Sequence, residues 1–322
     1  MKNFFIHVIN LHVLPRIRLI RNVIKYRHAL IIARFGSVGV KPPVRILFVI
    51  GCGRSGTSIL GEVLEIHPDV RYVFEPIHLW VAIDPRLDFT NLFTDTESAA
   101  LVDETFFSAN AQLRFNKLFF GPEDKLLVEK TPHNALRLGY LERLVPNARY
   151  LHIVRCGMEV VESINKLATI NASQIAGCGD HNQWWGSSLC KWKALKRDGV
   201  KVGFLSDEMD RLTTHRQRAA FEWLLSLKEV ERHSQALGCR LLEINYNDLI
   251  SQSVIVLEKI AIFSDLRRNG EWIIKSLELI KQNQSINKEF DPLILPPGVC
   301  ELFNNYQNKY GFKRMATPEI DV

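Results

Sequence analysis

The sequence predicts a three-layer α/β/α fold, with a central parallel sheet of about five strands between helices and a basic amphipathic helix ahead of it. Two observations predict it. From about residue 45 onward, short continuous apolar runs alternate with longer helical patterns, and the first run enters a glycine-rich turn that opens a helix. Strands alternating with helices need crossover connections, which lay the strands parallel and put helices on both faces.

The elements follow in order. "RILFVI" is a strand of the kind buried on both faces, and "TSILGEVLEIH" is a helix of about three turns starting near Thr57 or Ser58. "VRYVFEP" is a second strand, stopped by Pro76; "KLLVEK" is the third and "ARYLHIVR" the fourth. Helices are expected over "NALRLGYLERLV" and, after Gly157, over "MEVVESINKLAT". The stretch from about 84 to 124 is less regular, with one or two helices around "TESAALVDETFFSANAQLRFNKLF". Residues from about 170 to 212 are polar and glycine-containing and carry Trp184, Trp185 and Trp192. "THRQRAAFEWLLSLKEVERHSQALG" is a long helix ending at Gly238, and "CRLLEINY" is the fifth strand. Helices near 251–263 and 271–282 and one over "GVCELFNNYQNKYG" complete the chain.

The 322 residues suffice for one large domain with a sizeable core. "KPPV" marks a boundary, giving an arm over 1–42 and a main domain over 43–322. The net charge of +6 resides in the arm: residues 1–50 hold nine Lys or Arg and no Asp or Glu. The main body therefore gives no electrostatic reason to expect a nucleic-acid partner. "RIRLIRNVIKYRHALIIARFG" places Ile17, Ile20, Ile24, Ile31 and Phe35 near one helical face, with cations largely elsewhere. Such a helix either lies on an anionic membrane surface or docks on the domain with a solvated basic face. No run of eighteen apolar uncharged residues is present, so a spanning helix is not expected. "NFFIHVINLHVLP" lacks a small-residue cleavage site and is not read as a signal peptide. The six cysteines form no C-x-x-C pair, which argues against a zinc or redox motif. Cys178 and Cys190 are the pair an oxidising compartment would join.

"VIGCGRSGTS" follows a buried strand and opens a helix. Unsatisfied N–H groups and the dipole at a helix start make an anion site. The spacing is that of a P-loop, but Thr57 stands where the triphosphate-binding form has lysine. Arg54 supplies a planar fork instead. Glu129 in "LLVEK" is a poor substitute for a metal-binding Asp at a strand end, so a short 5′-phosphate or phosphosulfate suits the loop better than a magnesium triphosphate.

"FVIGCGRSGTSILGEVLEIHPDV" resembles the 5′-phosphosulfate-binding segment of sulfotransferases, and most closely that of the broad family that includes protein-tyrosine sulfotransferases. "VEKTPHNALRLGYLERLVPNARYLHIVRCGMEVVESI" is similar to that family's K-[DT]-P and 3′-phosphate-binding segments, and "INYNDLI" is similar to its Y-E-[DQ]-L. The first two matches cover about 48–76 and 128–166, with order, spacing and secondary structure in agreement. The resemblance implies a P-loop NTPase-like fold, 3′-phosphoadenosine 5′-phosphosulfate (PAPS) as co-substrate, transfer of its sulfuryl group to an acceptor hydroxyl, and no metal. It implies that Arg54, Ser55, Gly56, Thr57 and Ser58 wrap the 5′-phosphosulfate.

Arg155, at the end of the fourth strand, would hold the 3′-phosphate, with a hydroxyl contact from Ser163; the competing reading is an arginine paired with a carboxylate. Cys156 stands where the family often has Asp, which removes the carboxylate that usually sets that arginine. Glu75 is preferred as general base over His78, the competing reading of Glu75 being a strand-end salt bridge. Lys130 would stabilise the charge that grows on the leaving phosphate. Tyr246 would pack on the nucleotide or serve the core, and Lys166 lies one turn after Ser163 on the same helix face. The acceptor stays open among carbohydrate, peptide tyrosine, lipid and small metabolite. An atypical P-loop nucleotide kinase and a catalytically silent nucleotide-binding protein at a membrane surface are the alternatives. The arm points to a cytoplasmic or membrane-surface location, with the Golgi lumen as the alternative.

Overall fold

The computed structural model describes residues 14–37, 45–119, 124–170, 181–282 and 291–319. Helix α1 (Leu14–Phe35) precedes strand β1 (Ile46–Ile50), helix α2 (Thr57–Glu65), strand β2 (Val70–Phe74) and helix α3 (Ile77–Ile83). Then come α4 (Ala109–Leu118), β3 (Leu126–Lys130), α5 (Leu138–Leu144), β4 (Arg149–Val154) and α6 (Gly157–Ala168). Helices α7 (Cys190–Lys201) and α8 (His215–Leu237) lead to β5 (Leu241–Asn245). The chain continues through α9 (Tyr246–Ser251), α10 (Ser253–Phe263), α11 (Gly270–Gln282) and α12 (Pro297–Lys309).

The five strands form one parallel sheet in the order β2-β3-β1-β4-β5, as the sequence predicts. The period of two along β1 divides the core. Phe48 and Ile50 face the side covered by α5 and α8, whereas Leu47 and Val49 face the side covered by α2, α10 and α11. All five β1 side chains are buried, each contributing about 1.5–3 kcal/mol if fully removed from water. The chain reaches α8 through a capping box. Thr214 accepts from the Gln217 N–H, and Gln217 accepts from the Thr214 N–H at 3.0 Å.

Between 84 and 119 one α-helix forms, α4, within the one or two expected, alongside two short 3-10 turns opened by Pro85 and Asp103. One stretch departs from expectation. "NALRLGYLERLV" is split, the part after Pro132 being a 3-10 turn before α5. Cys178 lies outside the described residues, and so does the proposed partnership with Cys190.

Register fixes what stands along the carboxyl edge of the sheet. Phe74 pairs with Lys130, Lys130 with Val49, Val49 with Leu151, and Val154 with Asn245. β2, β3 and β1 end within one residue of one another, and β4 and β5 run two residues beyond β1. Glu75, Lys130, the 51–56 loop, Arg155 and Tyr246 stand in a row in strand order. Neighbouring strands lie ~4.8 Å apart, and ligands of open α/β sheets bind beyond this edge.

Candidate functional site

A cavity of about 400 Å³ opens at that edge. Arg54, Gly56, Thr57, Ser58, Glu75, Arg155 and Tyr246 line it, so seven of the ten residues singled out from the sequence share one wall. Ser55, Ser163 and Lys130 stand behind the lining. The Ser55 N–H donates to the Cys52 carbonyl at 3.1 Å and closes the loop. Ser163 Oγ accepts from Arg54 Nε at 2.9 Å.

The loop conformation exposes its donors. Gly56 has φ 100°, and no side chain caps α2, so the amides at the start of that helix have no side-chain acceptor. A Cβ on Gly56 would come within 2.5 Å of Tyr246 Cδ2, and one on Gly53 within 2.4 Å of Trp184. These two rings therefore grip the loop from opposite sides only because the loop residues lack side chains.

At the β4 end, two guanidinium groups converge. Arg155 lies with its Cζ 4.4 Å from the centroid of the Tyr246 ring, and its Nη1 is 3.4 Å from the Arg54 carbonyl. Arg54 adopts φ 73°, in the left-handed region. Burial, and next the charge of Arg155, pull the Arg54 guanidinium below its ordinary pKa. The repulsion between these like charges is what an anion bound beside them would relieve. Arg155 Nε also donates to Glu159 Oε2 at 2.8 Å. The carboxylate missing at Cys156 is thus supplied one turn later along α6. The pairing that competed with phosphate binding is present, and it also orients the fork. Lys166 is exposed and does not line the cavity.

At the β2 end, Lys130 Nζ lies 2.5 Å from Glu75 Oε1, 3.2 Å from Ser58 Oγ and 3.9 Å from the Phe74 ring centroid. The Lys130 side chain is wholly buried, whereas Glu75 keeps 37% of its side-chain surface. Burial lowers the Lys130 pKa against the opposing pull of Glu75. Glu75 sits at φ 35°, a strained value for a non-glycine residue, costing roughly 1–3 kcal/mol. Its N–H donates to the Lys130 carbonyl at 2.8 Å, and its carbonyl accepts from the Ile77 N–H at 2.7 Å, so neighbouring backbone holds it there.

His78 is not part of the lining, although Ile77 is. Burial, and secondarily the charge of Lys25 on α1, lower His78 to about 4. Glu129 is also away from the cavity. It is fully buried and accepts from Trp80 Nε1, Thr131 Oγ1 and Asn134 Nδ2. Burial outweighs those donors and lifts its carboxyl to about 7.

Sequence reasoning missed the opposite wall. Phe89, His133, Gln183, Trp184 and Lys191 line it. Glu222 on α8 organises them from behind: it accepts from Lys191 Nζ at 2.8 Å and from Trp184 Nε1 at 2.9 Å, and His133 Nε2 lies 3.5 Å away. The His133 ring stacks on Phe89, their centroids 3.9 Å apart. Burial drives His133 down to about 4, leaving it neutral at pH 7. Lys191 holds Glu222 down at about 2 in spite of burial. Glu222 therefore contributes stability above about pH 4.5 that is lost as pH falls toward about 2. Glu222→Ala leaves Lys191 buried without its carboxylate, which costs about 3–5 kcal/mol. The expected melting-temperature fall is roughly 10 °C. A fall of under about 2 °C would show the pair to be dispensable for stability. A partial signal for this wall was present in the adjacency of His133 to "EKTP" and in Trp184 within a polar segment.

Among the described residues no cluster of His, Cys, Asp or Glu is arranged to hold a metal ion. Likewise none of their helices is long and apolar enough to cross a membrane.

Residues 47–269 match the model of the family described as "Sulfotransferase family". The chain is 23% identical over 241 residues to a protein-tyrosine sulfotransferase of Drosophila melanogaster, covering 73% of this chain and 45% of that one. It is 28% identical over 154 residues to human protein-tyrosine sulfotransferase 1, covering 45% of this chain and 40% of that one. The chain thus spans less than half the length of these relatives. Sulfotransferase STF9 from Mycobacterium avium superposes with a TM-score of 0.51 at 12% identity, covering 92% of this chain and 86% of that one. This last likeness bears on the fold alone.

Proposed function

The chain belongs to the sulfotransferase family, and from that premise we propose that it transfers a sulfuryl group from PAPS to an acceptor hydroxyl. One observation carries the reading. The sheet edge presents, in strand order, a carboxylate, a buried ammonium, an uncapped helix start and a pair of arginines. That row suits a ligand with anionic groups at two separate positions and a reacting group at the carboxylate end.

Arg54 and the amides of Gly56, Thr57 and Ser58 fit the 5′-phosphosulfate, with Ser55 closing the turn behind them. Arg155 fits the 3′-phosphate, with Ser163 setting Arg54 beside it and Tyr246 beneath. Glu75 removes the acceptor proton as the acceptor oxygen bonds to sulfur. The bond between sulfur and the bridging oxygen breaks in line, and the electron pair stays on the 5′-phosphate. Glu75 then returns the proton to solvent. Lys130 acts from below, pairing with Glu75 and carrying positive charge to the loop through Ser58. Nothing in this sequence of steps calls for a divalent ion. The wall of Phe89, His133, Trp184 and Lys191 faces the acceptor. The domain spans 43–322 in this reading, with 1–42 as an accessory arm.

Calorimetry with adenosine 3′,5′-bisphosphate tests the donor. Binding should be metal-independent and much tighter than binding of ATP with magnesium. Arg155→Ala should weaken it about 10- to 100-fold, the worth of a charge-assisted bidentate contact. Preference for ATP with magnesium would instead favour a kinase. Unchanged bisphosphate affinity in the variant would remove Arg155 from the phosphate site. Product formation from PAPS then separates an enzyme from a silent binding protein.

A further inference from the structure

Helix α1 docks on the domain and still presents an apolar stripe to solvent. It packs against α3 and α4. Ala29 and Ala33 are buried there, the Tyr26 ring lies 5.2 Å from that of Phe93, and Lys117 Nζ donates to the carbonyls of Ala33 and Arg34 at 3.3 Å. The docked helix offered by the sequence is thus observed, and the opposite face of the same element stays exposed.

At 3.6 residues per turn, Ile20, Ile24, Ile31 and Phe35 fall within about 60° of one another, roughly opposite Ala29 and Ala33. Their exposures are 59%, 61%, 58% and 73%, high for a row of four large apolar side chains in a docked helix. Arg27 and Arg34 flank the stripe on one side, and Arg21, Lys25 and His28 on the other. No Asp or Glu occurs anywhere in residues 1–50.

We infer that this face of α1 seats the protein on an anionic lipid surface, with the stripe among the acyl-chain ends and the flanking cations at the headgroups. The charge pattern selects this occupant. A second copy of the chain, apposed through the same face, would bring two cationic borders together with no carboxylate between them. A nucleic acid would use the cations but leave the apolar row wet. A lipid surface of negative charge satisfies both.

The test is flotation of the full chain with phosphatidylcholine vesicles, with and without about 30% phosphatidylserine. Wild type should float with the anionic vesicles, less so as salt rises, and stay behind with the neutral ones. Ile24→Asp with Ile31→Asp should lower partitioning at least about tenfold, and Arg27→Glu with Arg34→Glu should do the same. All four positions are exposed, so thermal unfolding should remain at the wild-type temperature. Equal binding to both vesicle types, no binding, or full binding by the Asp variant would each overturn the inference. So would a dimer in sedimentation velocity that the Asp variant dissolves. Bisphosphate affinity is read separately, so failure of the donor assignment leaves this result interpretable.

Discussion

Glu75→Gln should lower kcat by about 10²- to 10⁴-fold, the usual worth of a positioned general base. Affinity for adenosine 3′,5′-bisphosphate should remain within about threefold of wild type, well under the tenfold that 1.4 kcal/mol would give. The substitution changes little else. Glutamine keeps the length of the side chain, and its carbonyl oxygen still accepts from Lys130 Nζ, which lies 2.5 Å from Glu75 Oε1 in the native chain. The backbone at φ 35° is held by the bonds to Lys130 and Ile77, which do not involve the side chain. What is lost is the ability to take a proton. Comparing kcat with bisphosphate affinity therefore separates a base from a strand-end salt bridge, because a purely structural pair would change neither by much. Full turnover in the variant would move proton abstraction elsewhere. His78 is a poor heir because it lies outside the cavity lining and takes up a proton only near pH 4. His133 lines the cavity but is equally low, at about 4, and faces Glu222.

The sheet-edge half of the cavity was legible in the sequence for a definite reason. Its residues sit on or just past strand ends, and apolar runs mark strand ends. Once the strands are found, the residues at the ends of β1 to β5 must share the carboxyl edge, and register did bring Glu75 beside Lys130 and Arg155 beside Tyr246 there. The wall of Phe89, His133, Trp184 and Lys191 follows no such rule. Lys191 lies in the first turn of α7, just past a short antiparallel pair of 181–182 with 186–187 and past Ser188 and Leu189, which take positive φ, and periodicity does not locate such a turn. Glu222 is one position within the long helix expected over "THRQRAAFEWLLSLKEVERHSQALG". It is buried only because α8 passes behind the cavity and packs against α6, and a long-range contact of that kind is invisible to a local pattern. The same limit applies to Glu159. Its partnership with Arg155 runs from the end of β4 into the first turn of α6, across a turn that the apolar pattern of neither element fixes. Trp185 and Trp192 entered the core while Trp184 reached the cavity, an outcome set by the Trp184 indole N–H finding Glu222.

Lys130→Ala should reduce kcat about 100- to 1000-fold, comparable to removing one preorganised donor from an anion-stabilising site. Burial sets the size of the effect. The ammonium is wholly buried against Glu75, Ser58 and the Phe74 ring, so charge developing at the loop meets it at low local dielectric. Stability should change less than in Glu222→Ala, because Glu75 remains partly solvated when its partner is removed. The pH profile supplies a second check. Burial lowers the Lys130 pKa, so the proton leaves at a pH below the ordinary lysine value of 10.5. Activity should fall on the alkaline side before that value is reached. Stability should move the opposite way. In the window between the lowered folded pKa and 10.5 the unfolded chain binds more protons, so the Lys130 contribution favours folding as pH rises. An alkaline limb in kcat that disappears in Lys130→Ala, with the residual rate flat across that window, assigns the limb to this ammonium. A limb that persists in the variant belongs to another group and would remove Lys130 from the transfer step.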